Sequence, residues 1–129
     1  NNTTIGSGSM VSNTTGSNNT AIGTYSLDEN TTGADNTAVG KHSLQTNTTG
    51  SNNVSIGSNA LFSSTTASGN IAIGYQAMQN ATTGQHNTAV GMNAGEYNLT
   101  GTDNIFIGAF SNPSSGGSVR PSTGGRGGR

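Results

Sequence analysis

Residues 19–35 read NTAIGTYSLDENTTGAD, and residues 36–52 repeat the pattern as NTAVGKHSLQTNTTGSN. The same unit of 17 residues runs without a gap from Asn2 to about Ser111. Each copy holds a β-branched residue, a Gly directly after it and an Asn three residues before it. A fixed register of this kind is typical of repeat architectures, so the repeat decides the fold.

The composition of the unit indicates β-structure. Gly, Asn, Thr and Ser are poor residues for helix interiors. The apolar residues lie in short β-favouring stretches such as Asn70-Ile71-Ala72-Ile73, and Gly and Asn punctuate them as turn residues do. The sequence therefore predicts an all-β chain: a single-chain β-solenoid (parallel β-roll) of about seven coils over residues 1–111, stacked about 4.8 Å apart. Residues 112–129 form a Gly/Ser/Arg-rich tail, interpreted as a linker or subunit-joining segment.

Composition also excludes several classes of protein. Gly, Thr, Asn and Ser make up 76 of 129 residues and only 28% are apolar, so a thick core is excluded. Charged residues make up 7% and the net charge is −1, which argues against a basic nucleic-acid binder. The absence of Cys excludes disulfides, Cys-ligated zinc and thiol catalysis. No apolar run approaches the roughly 18 residues of a membrane span.

Two apolar columns of the repeat are predicted to form a core ladder. The β-branched column is Ile5, Ile22, Val39, Ile56, Ile73, Val90 and Ile107, and the long apolar column is Leu27, Leu44, Leu61 and Met78.

Two polar columns are predicted to form hydrogen-bonded ladders, as Asn side chains do in cross-β stacks. The Asn column is placed at an inside corner, where its amides cap turn backbone: Asn19, Asn36, Asn53, Asn70, Asn87 and Asn104. The Thr column is placed on a sheet face: Thr15, Thr32, Thr49, Thr66, Thr83 and Thr100. A ligand or ice contact is the alternative interpretation of either column.

Residues 19–26 (NTAIGTYS) and 87–94 (NTAVGMNA) resemble the head repeats of trimeric autotransporter adhesins and related repeats of phage tail fibres. The resemblance covers about residues 1–111, although the family repeat is shorter than 17 residues. It implies a left-handed parallel β-roll that forms trimers and binds host matrix or cell surfaces. The family motif is architectural, so it carries over no functional residue.

The last coil and the tail supply candidate assembly residues. Phe106 and Phe110 either belong to a capping coil covered by the tail or form an exposed apolar end that docks on a second chain. Val119 and Arg120 could pair with the edge of another subunit. Residues 1–111 carry a net charge of −4 and the tail +3, which favours salt-dependent attraction between them. The Gly-Arg run at 124–129 has no interleaved aromatic residues, so no nucleic-acid partner is predicted.

No catalytic or metal-binding constellation is present in the sequence. His42 and His86 fall in different columns, and the acidic residues are scattered. We therefore expect no enzyme activity, no metal and no cofactor. Asn13, Asn30, Asn47 and Asn98 begin N-x-[ST] sequons, which indicate either turn chemistry or a glycan-coated surface.

These observations predict a structural or adhesive fibre component, located outside the cell, on its surface or in a virion fibre. Its predicted partner is itself, as an end-to-end filament or a trimer, with glycans or a cell surface as further partners. The alternative is an ice- or surface-binding module that uses a Thr array.

Overall fold

A computed structural model gives the structure of the chain and describes residues 1–113. In this range the chain forms seven β-strands and no helix. The strands are β1 (Thr3–Ile5), β2 (Thr20–Ile22), β3 (Thr37–Val39), β4 (Val54–Ile56), β5 (Ile71–Ile73), β6 (Thr88–Val90) and β7 (Ile105–Ile107).

The seven strands form one parallel sheet in sequence order. Each residue pairs with the residue 17 positions later, as Thr20 pairs with Thr37 and Ile22 with Val39. The chain therefore makes one coil per repeat and six full turns between β1 and β7. The predicted all-β parallel solenoid and its period are confirmed, and the left-handed coil stays a prediction.

Hydrogen bonds between coils continue outside the strands. The Leu27 N–H donates to the Ser43 carbonyl at 3.0 Å, and the Glu29 N–H donates to the Gln45 carbonyl at 2.9 Å. Further along the coil, the Thr31 N–H donates to the Thr48 carbonyl at 2.9 Å. Strands of three residues suffice because the rest of each coil is also bonded to its neighbours.

The core is a thin column of side chains inside the coils. The long apolar column is fully buried at Leu27, Leu44, Leu61 and Met78, as predicted. It packs with a file of small residues from the strand centres: Ala21, Ala38, Ser55, Ala72 and Ala89. A second buried file of small residues follows each strand: Ser26, Ser43, Ala60, Ala77 and Ala94.

The prediction that the Ile/Val column belongs to the core is wrong. Ile22 and Val39 are partly exposed, and Ile56 is 38% exposed. Neighbouring residues of a strand point to opposite sides, and in each strand the central residue points inward. The first and third residues therefore point outward, so the column Ile5, Ile22, Val39, Ile56, Ile73, Val90 and Ile107 lies on the outside of the sheet.

In the last turn, the side chain that fills the core comes from the centre of the strand and not from the segment after the strand. Gly95 replaces the long apolar residue, and Phe106 replaces the small residue at the strand centre. A Cβ placed on Gly95 would lie 2.9 Å from Cδ2 of Phe106 and 3.0 Å from Cγ of Met78. The Phe106 ring thus occupies the space that a Leu fills in earlier coils, which keeps the volume of the core constant.

We expect Leu61→Ala to lower the free energy of unfolding by about 2–5 kcal/mol because it opens a cavity in the core. Ile56→Ala, five residues earlier, should cost about 1 kcal/mol or less because Ile56 points outward and only strand propensity changes. Denaturant unfolding followed by circular dichroism measures both. Equal losses would contradict the inward and outward assignment of the two columns.

Candidate functional site: the polar ladders, the outer face and the ends of the stack

The predicted Asn column forms a continuous ladder inside the solenoid. From Asn2 to Asn87, each Asn Oδ1 accepts the backbone N–H of the Asn one coil later, at 2.9–3.0 Å. From Asn2 to Asn87, each Nδ2 donates to a turn carbonyl 14 residues later, at 2.7–2.9 Å. We call Asn2, Asn19, Asn36, Asn53, Asn70, Asn87 and Asn104 the Asn ladder. Its placement and its capping of turn backbone are as predicted.

A second group of Asn side chains holds the Asn-Thr-Thr-Gly turn. Nδ2 of Asn30 donates to Oδ1 of Asn13 at 2.8 Å and to the Gly33 carbonyl at 3.0 Å. Nδ2 of Asn47 makes the equivalent bonds to Oδ1 of Asn30 and to the Gly50 carbonyl.

The turn geometry bears directly on the predicted glycosylation sites. Asn30 and Asn47 are fully buried and use both amide hydrogens, and Asn98 is buried as well. A glycan replaces an amide hydrogen and needs room outside the protein, so the prediction is wrong for Asn30, Asn47 and Asn98 in the folded chain. Asn13 is partly exposed, but its Nδ2 also donates to a turn carbonyl, that of Gly16. These sequons serve as turn chemistry.

The predicted Thr ladder belongs to the neighbouring column. The Thr14, Thr31, Thr48, Thr65 and Thr82 hydroxyls donate to carbonyls one coil later at 2.8–3.5 Å. The predicted column is exposed and lies in the turns between strands, not on the sheet: Thr15, Thr32, Thr49, Thr66, Thr83 and Thr100. The N-T-T-G sequence does not distinguish the two adjacent Thr residues, which is why the prediction chose the wrong one.

The residues predicted for assembly differ in their exposure, and two of them are not described. Phe106 is buried in the core, so it is wrong as a docking residue, whereas Phe110 is 62% exposed in the last coil. Val119 and Arg120 lie outside the described residues, as does nearly all of the predicted tail.

The outward side of the sheet presents a continuous apolar surface that sequence reasoning missed. We call the 14 outward side chains of the seven strands the outer face. Ten of them are Ile or Val and four are Thr, and none is charged. The first file is Thr3, Thr20, Thr37, Val54, Ile71, Thr88 and Ile105, and the second is the Ile/Val column. The signal was the small residue, Ala or Ser, that stands between the two outward positions in β2 to β6 and marks the inward side.

Polar residues border the outer face along the chain. Asp35, His86 and Asp103 lie in the turn before the strands, and Nδ1 of His86 is 3.5 Å from Oδ1 of Asp103. On the other side, two residues after the strands, Lys41 is exposed, while Tyr75 and Met92 extend the apolar surface. An uncharged centre with a polar rim is the usual anatomy of an interaction surface.

The histidines do not form a metal centre in the part of the chain that the structure describes. The His42 ring stacks on Tyr25 with centroids 5.5 Å apart, and its Nδ1 is 2.6 Å from Oε1 of Gln45. Across residues 1–113, no three His, Asp or Glu side chains meet in a group that could hold a metal ion. Nor does any helix in this range have the length and apolar character to cross a membrane.

Comparison of the chain with protein-family models, with curated proteins and with solved structures gives no match.

We expect Asn53→Ala to lower the free energy of unfolding by about 2–6 kcal/mol. The substitution leaves the Ala67 carbonyl and the Asn70 N–H without their side-chain partners, at about 1–3 kcal/mol for each buried group. Gln85→Ala, at an exposed turn position, is the matched control and should stay within about 0.5 kcal/mol. Thermal and denaturant unfolding of the two variants test this, and similar losses would show that the ladder contributes no special stability.

Proposed function

We propose that this protein is a structural component of an extracellular fibre and that copies of the chain associate through the outer face. The observation that carries the proposal is the outer face itself. Ten of its 14 side chains are apolar and none is charged, from β1 to β7. An exposed apolar patch of a few hundred Å² on a soluble protein is often functional, and a polar rim is typical of patches that bind a partner. The proposal assigns the chain no catalysis, which the scattering of its titratable residues supports.

A second copy of the chain suits the outer face better than an unrelated protein. Both files repeat at the spacing of the coils, so two outer faces match each other coil for coil. Apolar burial is favourable at roughly 25 cal/mol per Å², and no charge has to be desolvated at the centre. A trimer, as in the adhesin heads that the repeats resemble, brings three such faces together. Adhesion to glycans or to a cell surface remains a prediction.

The ice-binding alternative has weaker support. A flat Thr array needs two outward Thr files, but the Thr14-to-Thr82 hydroxyls donate to backbone carbonyls. On the outer face the second file is Ile or Val throughout. What supports this alternative is the single exposed file that runs from Thr15 to Thr100.

We expect Ile56→Lys/Ile73→Lys to weaken lateral association at least tenfold. Burial of an Ile side chain is worth about 1.5–3 kcal/mol, and 1.4 kcal/mol is a factor of ten in the dissociation constant. Sedimentation and light scattering over a range of concentrations measure the change.

The matched control is Thr49→Lys/Thr66→Lys, which adds the same two charges in neighbouring coils away from the outer face. Circular dichroism should show folded chains for both variants, because all four positions point outward. Identical masses for the two variants, or a native chain that never associates, would reject the outer face as an interface.

A further inference from the structure

The Asn ladder ends on an acceptor that has no donor. Asn104 is 1% exposed, and its N–H and Nδ2 bind Oδ1 of Asn87 at 3.0 and 3.1 Å. Its own Oδ1 is buried and has no partner in the part of the chain that the structure describes. In all six earlier members of the ladder, this atom accepts the N–H of the next Asn. An unpaired buried acceptor is unfavourable because it has lost its hydrogen bonds to water, so the arrangement favours a donor from outside the described chain.

The other end of the same ladder offers the missing donor. Asn2 is the first member of the ladder among the described residues, and residues 1–113 supply no Oδ1 for its N–H. Asn2 and Asn104 are six repeats apart, so they hold equivalent positions in their coils. A second copy placed one coil beyond β7 would bring its Asn2 N–H to Oδ1 of Asn104.

The same register pairs the backbone of the two ends. Among residues 1–113, β7 has a strand neighbour on one side only, and so does β1. The Ile105 N–H would donate to the Asn2 carbonyl of the second copy, as the Thr88 N–H donates to the Asn104 carbonyl at 2.9 Å. The Gly6 N–H of that copy would donate to the Ile107 carbonyl, as the Gly108 N–H donates to Val90 at 2.8 Å.

The shapes of the two ends also fit. A Cβ on Gly91 would meet the backbone of Gly108 at 2.6 Å, whereas a Cβ on Gly108 would meet no atom of the described chain within 4 Å. The open space is that of one more coil, whose residue at this position would be Gly6. Ile107 and Ile5, which are 63% and 60% exposed, would come into the contact that the inner members of their column make.

We propose that copies of this 129-residue chain stack end to end, with the first coil of one copy adding to β7 of the next and the Asn2 N–H bound to Oδ1 of Asn104. The contact rests on the proposed function and deepens it by naming the partner of the chain ends. It uses the two ends of the stack, which share only the side chains of the terminal strands, such as Ile5 and Ile107, with the outer face. It joins two different surfaces, so it does not close and generates a filament. Each copy adds seven coil steps, which gives an axial repeat of about 34 Å at about 4.8 Å per step.

Crosslinking of paired cysteines tests the register, because the native chain has no Cys. Ser7 and Ala109 are exposed and lie outside the outer face. They hold equivalent coil positions six repeats apart, so in the stack Ser7 of one copy is one coil from Ala109 of the next. With a short bis-maleimide, the double variant Ser7→Cys/Ala109→Cys should give a ladder of trimers, tetramers and longer products on a denaturing gel.

The single variant Ala109→Cys is the matched control and should stay monomeric, since in the stack two copies of Ala109 are a full axial repeat apart. A double variant that stops at dimers, or a single variant that crosslinks equally well, would overturn the proposal. Negative-stain images of the native chain should show filaments with the repeat of about 34 Å.

Two further arms separate this contact from its alternatives. In the Ile56→Lys/Ile73→Lys background, persistence of the crosslinked products supports stacking even where lateral association has failed, and their loss overturns an end-to-end contact. Deletion of residues 114–129 should leave the crosslinked products unchanged. Crosslinked products that form only after the deletion would mean that the chain's own tail occupies this end, which also overturns the proposal.

Discussion

The hydrogen bonds that join each coil to the next in a 17-residue register determine everything else in this structure. They place the equivalent residues of the neighbouring repeats above and below every position. Each column must therefore suit one local geometry. Gly23 shows how strict this is: its φ is 134°, and a Cβ there would lie 2.6 Å from the carbonyl carbon of Gly40. A side chain at this position would push neighbouring coils apart, which is why Gly recurs in every repeat.

The same register lets a chain with few apolar residues hold together. A stack of small coils encloses little volume, so one long side chain and two small ones fill each turn. The remaining interior is polar, and the Asn ladder satisfies it with bonds from coil to coil. Low apolar content and a stable interior are compatible here because the buried amides bind one another and the turn carbonyls.

The period, the Gly and Asn columns and the burial of Leu44 could be predicted because each depends on chemistry that recurs once per coil. The outward direction of Ile56 was missed because a three-residue strand carries too little alternation to show which side is inside. Leu27, Leu44 and Leu61 have φ of 48–52°, a conformation that costs a non-Gly residue about 1–2 kcal/mol, and no propensity rule places Leu there. Core packing selects Leu at these positions against its backbone preference. The positive φ is therefore visible only in the three-dimensional structure. The unpaired Oδ1 of Asn104 is likewise a property of the stack and not of any local sequence.

The two proposed contacts, lateral and end-to-end, would reinforce each other because of the size of the outer face. Seven strands about 4.8 Å apart and two outward residues per strand give a face on the order of 30 Å by 10 Å. That is about 300 Å² per chain, well below the roughly 800 Å² per partner of a stable interface. The proposed end-to-end stacking would multiply the length of the face without any new chemistry, and contacts that are weak for one chain would then add along the filament. These areas favour one order for the proposed assembly: chains would first extend by adding coils at their ends, and the extended stacks would then associate side by side.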